Sequence, residues 1–114
     1  MLNSVVELPE FVRTAEKLLT EDERVELIDY LAANPMAGVL VRGTGGIRKL
    51  RWKRKGMGKR GGSRVVYFFH SDTMPLFLMT LYSKSKMANV SAAERQRLAK
   101  LRDILIEKFG DNNE

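Results

Sequence analysis

The sequence predicts a single α+β domain, with a small antiparallel sheet carrying a helical hairpin and a C-terminal helix. Three observations predict it. Apolar residues at helical spacing open the chain, runs of strand character fill its middle, and a capped amphipathic stretch closes it. Helices grouped before strands, instead of alternating with them, indicate α+β and not a parallel doubly wound fold. At 114 residues the chain suffices for one core and is too short for two, so residues 1–114 read as one domain.

Val5-Val6 begins as a short strand, and Pro9 suits the first turn of a helix, where its missing N–H costs nothing. Phe11, Val12, Ala15, Leu18 and Leu19 then share one face, with Glu10, Arg13, Glu16 and Lys17 outward. Thr20 and Glu23 form a capping box for a second helix through Val25, Leu27, Ile28 and Leu31, which stops before Asn34-Pro35. Gly38 to Val41 reads as an apolar link and Gly43 to Gly46 as a turn. Ile47 to Lys53 alternates strictly, with Leu50 and Trp52 on one side and Lys49, Arg51 and Lys53 on the other. Arg54 to Ser63 is a loop rich in Gly, Lys and Arg. Arg64 to His70 and Pro75 to Tyr82 are strands apolar on both faces. Ser91 and Glu94 suggest a second capping box, leading a helix through Leu98, Leu101, Ile104, Leu105 and Phe109 to Gly110. The expected order is strand, helix, helix, three antiparallel strands, helix. The helices are expected on one face of the sheet, leaving the other to the cations.

Charge is distributed very unevenly. From Arg42 to Arg64 there are ten Lys or Arg and no Asp or Glu, and no carboxylate lies between Asp29 and Asp72. The chain's net charge of +6 is thus a +10 block set in a remainder of net −4. A solvated surface usually mixes both signs, so the block points to a polyanionic partner. Seven of the nine glycines also lie in it, letting backbone approach a ligand closely. Along the strand the three cations repeat every 6–7 Å or so, near the spacing of phosphates in a single nucleic-acid strand.

Several function classes are excluded or disfavoured. There is no cysteine, hence no disulfide or thiolate zinc site, and a single histidine, His70, gives no metal cluster and no triad. No apolar run approaches the roughly 20 residues that span a bilayer, and no signal peptide opens the chain, so a cytoplasmic protein without membrane contact is expected. The basic residues alternate as in a strand, unlike a membrane-surface helix. RNA cleavage through the substrate's own 2′-hydroxyl needs neither metal nor triad. It needs cations aimed at the charge developing on phosphorus and a proton acceptor, a role that a Lys crowded by other cations can take. Tyr82 and Trp52 can stack bases. Composition fits RNA binding without cleavage equally well.

The run GTGGIRKLRWKRKGMGKRGGSRVVYF, followed by LMTLYSKSKMANVSAAE, resembles the RelE/HigB superfamily of toxins from type II toxin–antitoxin pairs, in particular the HigB-type branch with the GTGGIRKLRW pattern. The resemblance covers nearly the whole chain. It implies a RelE-like fold and a cofactor-free, ribosome-dependent endoribonuclease (an mRNA interferase) that cuts mRNA in the A site and halts translation. It also implies a cognate antitoxin of helix-turn-helix type, through which alone the toxin would reach operator DNA. The family's catalytic positions fall on Lys49, Arg51, Arg64 and Lys84. Arg64 and Lys84 would stabilise the scissile phosphate and leaving group, and Lys49 or Arg51 would assist the 2′-oxygen. Lys53, Arg54, Lys55, Lys59, Arg60, Tyr82 and Lys86 would contact RNA. The family's later tyrosine is missing, since that region reads Met87-Ala88-Asn89-Val90, and Tyr82 is the available substitute. The alternative is a non-catalytic nucleic-acid-binding module, either a decayed toxin or a DNA-binding regulator.

Overall fold

The computed structural model describes residues 2–52, 62–83 and 90–110. Its elements run β1 (Val5–Glu7), α1 (Pro9–Leu18), α2 (Glu21–Ala33), β2 (Val39–Leu40), β3 (Ile47–Trp52), β4 (Ser63–Phe68), β5 (Leu76–Ser83) and α3 (Ala92–Phe109). The strands form one sheet in the order β1-β5-β4-β3-β2. β2 to β5 pair antiparallel, and β1 joins β5 in parallel from Val5–Leu76 to Glu7–Leu78.

Local chemistry explains the helix starts. Pro9 opens α1, and Phe11 and Ala15, one turn apart, are its buried residues. The Thr20–Glu23 capping box forms in both directions: Glu23 N–H donates to Thr20 Oγ1 at 3.1 Å, and Thr20 N–H donates to Glu23 Oε1 at 2.7 Å. Leu27 and Leu31 carry α2 onto the sheet. At α3, Ser91 Oγ accepts from Glu94 N–H at 3.1 Å, but the Glu94 carboxylate turns to tertiary partners, so the expected box is used only on its serine side.

The sheet departs from expectation in three ways. It is mixed, because β1 pairs parallel to β5. The apolar link is an edge strand, β2, whose two residues are too few to show an alternation; Val39 and Leu40 face solvent. Third, the helices cover both faces. Phe11, Ala15, Leu27 and Leu31 of the hairpin meet Val65, Tyr67, Leu76, Leu78 and Leu81, whereas Leu98 and Leu105 of α3 meet Ile47, Val66, Phe68, Phe77 and Met79. Strands apolar at both parities need cover on both sides, and each large side chain so buried contributes roughly 1.5–3 kcal/mol. One face alone would leave Phe68, Phe77 and Met79 in water.

A bulge sets what the far end of the sheet presents. Val66 pairs with Thr80 but Tyr67 with Leu78, so β5 carries Met79 as an extra residue. The insertion reverses the side-chain parity of β5. Leu76 and Leu78 face the hairpin before it and Leu81 after it, which turns Tyr82 to the α3 side, where its ring packs on that core.

A second fixed point lies at the opposite end. Tyr67, fully buried, donates its hydroxyl to the Pro35 carbonyl at 2.8 Å and accepts from Gly38 N–H at 2.7 Å. Burial pushes this phenol's pKa up, against the Gly38 amide and the positive charge of Arg48. A Cβ on Gly38 would stand 2.8 Å from the Lys49 carbonyl and 2.9 Å from the Tyr67 hydroxyl, so the turn into β2 closes only on glycine.

Candidate nucleic-acid interface

In-register neighbours in a sheet share a face, and the pairings bring three predicted residues into one line. Arg51 of β3 pairs with Arg64 of β4, and Arg64 pairs with Tyr82 of β5. The next line is Lys49, Val66 and Thr80, and the last includes Ile47, Phe68 and Phe77. The face is therefore graded from cationic at the Trp52 end to apolar at the Ile47 end. α3 lies over it from Tyr82, bound near its start by Glu94, to Gly45, whose carbonyl accepts from Arg102 Nη1 at 3.4 Å. The cations and the terminal helix share a face, contrary to the expectation that no helix would cover theirs.

The two arginines differ in setting. Arg51 is exposed, Arg64 is half-buried, and neither takes part in an ion pair among the described residues. The Arg64 Nε is shielded from solvent and has no hydrogen-bond partner there. An orphaned buried donor on a cation is costly, on the order of 1–3 kcal/mol or more, unless an acceptor arrives to fill it. Lys49 is half-buried on the same face. Lys84 and Lys86 lie outside the described residues, as do Lys53, Arg54, Lys55, Lys59 and Arg60.

Other members of the basic block serve the fold. Arg48, of opposite parity to Lys49, donates Nη1 to the carbonyls of Gly38 (2.7 Å) and Met36 (3.3 Å), tying the turn after α2. Trp52 packs on the hairpin side with its ring centroid 5.6 Å from that of Tyr30, so it belongs to that core and is no base-stacking platform on the cationic face. His70 lies beyond the other end of β4, exposed, its ring 6.1 Å from that of Phe68.

Beside the arginines stands an acidic cluster that no sequence pattern announced. The Tyr82 hydroxyl donates to Glu94 Oε2. Arg97 donates to both Glu94 oxygens, from Nε at 2.8 Å and from Nη2 at 2.7 Å, and reaches Glu10 of α1 at 2.9 and 3.1 Å. The Glu94 hydrogen bond, opposed by burial and aided by Glu10, raises the Arg97 pKa further, so it stays cationic. Burial alone would push Glu10 up, but the Thr80 hydroxyl and Arg97 outweigh it and hold its carboxyl below the ordinary range. The only local signal was the three-residue spacing of Glu94 and Arg97, and Glu10 is 87 positions from Arg97. A cleft of about 410 Å³ adjoins the cluster, lined by Glu10, Thr14, Lys17, Thr80 and Tyr82 among others. Among the described residues no group of three or more His, Cys, Asp or Glu could hold a metal ion, and no helix is long and apolar enough to cross a membrane.

A mixed five-stranded sheet between a helical hairpin and a terminal helix, with two arginines that form no ion pair among the described residues on the face beside that helix, defines a small α+β protein. The model of the RelE toxin of the RelE/RelB toxin–antitoxin system matches residues 6–111, and the chain belongs to the RelE toxin family. It is thus a toxin of a toxin–antitoxin system, a class defined by pairing with an antitoxin. Among solved structures it is similar to E. coli toxin RelE, determined in the free state as a double arginine-to-alanine mutant. Identity there is 20%, the alignment covers 90% of this chain and 98% of that one, and the TM-score is 0.56, a likeness of fold.

Proposed function

We propose that this toxin is a metal-independent endoribonuclease that cuts mRNA in the ribosomal A site and so stops translation in the cytoplasm. The observation that carries the reading is the line of Arg51, Arg64 and Tyr82, in which, among the described residues, neither arginine has an ion-pair partner and the buried Arg64 Nε has no hydrogen-bond partner. A phosphate satisfies that donor, and a phosphorane, with more charge on its oxygens, satisfies it better. Stabilisation that grows towards the transition state is what accelerates a reaction. The substrate's 2′-oxygen attacks the neighbouring phosphorus. Arg64 and Lys84 stabilise the phosphorane and the leaving 5′-oxygen, Lys49 or Arg51 assists the 2′-oxygen, and Lys53, Arg54, Lys55, Lys59, Arg60 and Lys86 hold RNA backbone.

The GTGGIRKLRW pattern supports placing the protein in the HigB-type branch. Its antitoxin is then a small helix-turn-helix protein that inhibits the nuclease and brings it to operator DNA. Expression in a bacterium should arrest growth, with relief by the neighbouring gene's product and with mRNA cut on ribosomes. Arg64→Ala should remain folded and lose cleavage by about 10²–10³-fold or more. Harmless expression together with tight binding of duplex DNA would instead establish the non-catalytic module.

A further inference from the structure

A row of cations stabilises a phosphorane but does not by itself accept the 2′-hydroxyl proton. At the β5 end of the row, Tyr82 gives its hydroxyl hydrogen to Glu94, whose side chain is only 15% exposed. Glu94 and Glu10 share the single guanidinium of Arg97, so the hydrogen-bonded cluster carries a net −1. The other charges around it are Arg13, which acts on Glu10 from α1, Lys17 at the cleft, and Arg51 and Arg64 along the row. Thr80 lines the same cleft, beside Glu10.

We infer that Tyr82 and Glu94 form the proton-accepting pair of the cleavage reaction. The 2′-hydroxyl proton passes to Tyr82 Oη as Tyr82's own proton passes to Glu94 Oε2. The 2′-oxygen bonds to phosphorus, and the bond from phosphorus to the 5′-oxygen breaks. Water protonates the leaving oxygen, the hydroxide so formed takes the proton from Glu94, and a 2′,3′-cyclic phosphate and a 5′-hydroxyl remain. Tyr82 touches the reacting atom, Glu94 acts through it, and Arg97 keeps Glu94 in place.

This inference rests on the nuclease reading, and one assay separates them: single-turnover mRNA cleavage on programmed ribosomes across toxin concentrations up to saturation. Tyr82→Phe, which keeps the ring packing, should slow cleavage by about 10²-fold or more without changing the toxin concentration at half-saturation. Glu94→Gln keeps an acceptor for Tyr82, yet should slow cleavage at saturating toxin, again without changing the concentration at half-saturation. A rate equal to wild type in Tyr82→Phe, or in Glu94→Gln, overturns the pair. Should Glu94→Gln fail to fold, as read by thermal melting, Tyr82→Phe decides alone. Wild-type protein inert on ribosomes overturns the nuclease reading itself, whereas inactive Arg64→Ala beside fully active Tyr82→Phe overturns only the pair.

Discussion

Arg64 and Tyr67 stand three positions apart on one strand and show how differently a polar group can be used. Tyr67 is satisfied on both sides, by the Pro35 carbonyl and the Gly38 amide. Replacing it with Phe leaves both backbone groups without the phenol, so Tyr67→Phe should cost about 1–3 kcal/mol. Urea denaturation should show this as a lower midpoint with an unchanged slope, and cleavage by the folded fraction should persist. Arg64 is the reverse case, with a buried Nε left open and no ion pair among the described residues. Its loss should spare the fold and remove the chemistry. The sequence pointed to Arg64, since an arginine entering an apolar strand has few structural uses. The alternation read from Ile47 to Lys53 assigned Arg48 no partner and set Lys49 with Arg51. The pleat sends one to the carbonyls of the preceding turn and the other to the α3 face.

At the scale of elements, α1 and α3 are held together beside the interface by Glu10, Arg97 and Glu94. Glu10 has a folded pKa below its unfolded value, so its ionisation adds stability above the ordinary carboxylate range. That increment is lost as pH falls through the folded value. Stability measured by urea from about pH 6 to about pH 3 should therefore fall less steeply in Glu10→Gln than in wild type. The pair is partly exposed, so the effect is a change of slope and not a collapse. Helix ends were largely legible in the sequence, because Pro9, the Thr20–Glu23 box and Ser91 act within a few residues. The partners of Glu94 were not, because a carboxylate at the third helical position serves a capping box or a tertiary contact equally well.

Across the whole molecule, ten cations are concentrated in twenty-three residues, and the described part of that block splits into a strand face and a strand start. RNA affinity should consequently depend steeply on salt. Each of Lys53, Arg54, Lys55, Lys59 and Arg60 that meets a phosphate should reduce the slope of log affinity against log salt by about 0.7 when changed to Gln. A titration of single-stranded RNA at several salt concentrations would measure this, and an unchanged slope for all five would remove them from the interface. Cleavage in the same variants should survive at saturating toxin, since backbone contacts position RNA and do not perform the chemistry.

The sequence by itself determined the α+β class, the helix starts, the apolar central strands and the concentration of positive charge. These are local or compositional properties, written in spacing, caps and counts. Only the tertiary structure decided that β1 pairs parallel with β5, that α3 shares the face of the cations, and that Arg51, Arg64 and Tyr82 stand in line. The last depends on the bulge at Met79, which reverses the parity of β5 so that Tyr82 turns to the α3 face. A period of two read along the strand cannot locate such an insertion, because pairing with β4 creates it. The same holds for Glu10, whose place beside Arg97 is settled by packing across 87 positions of chain.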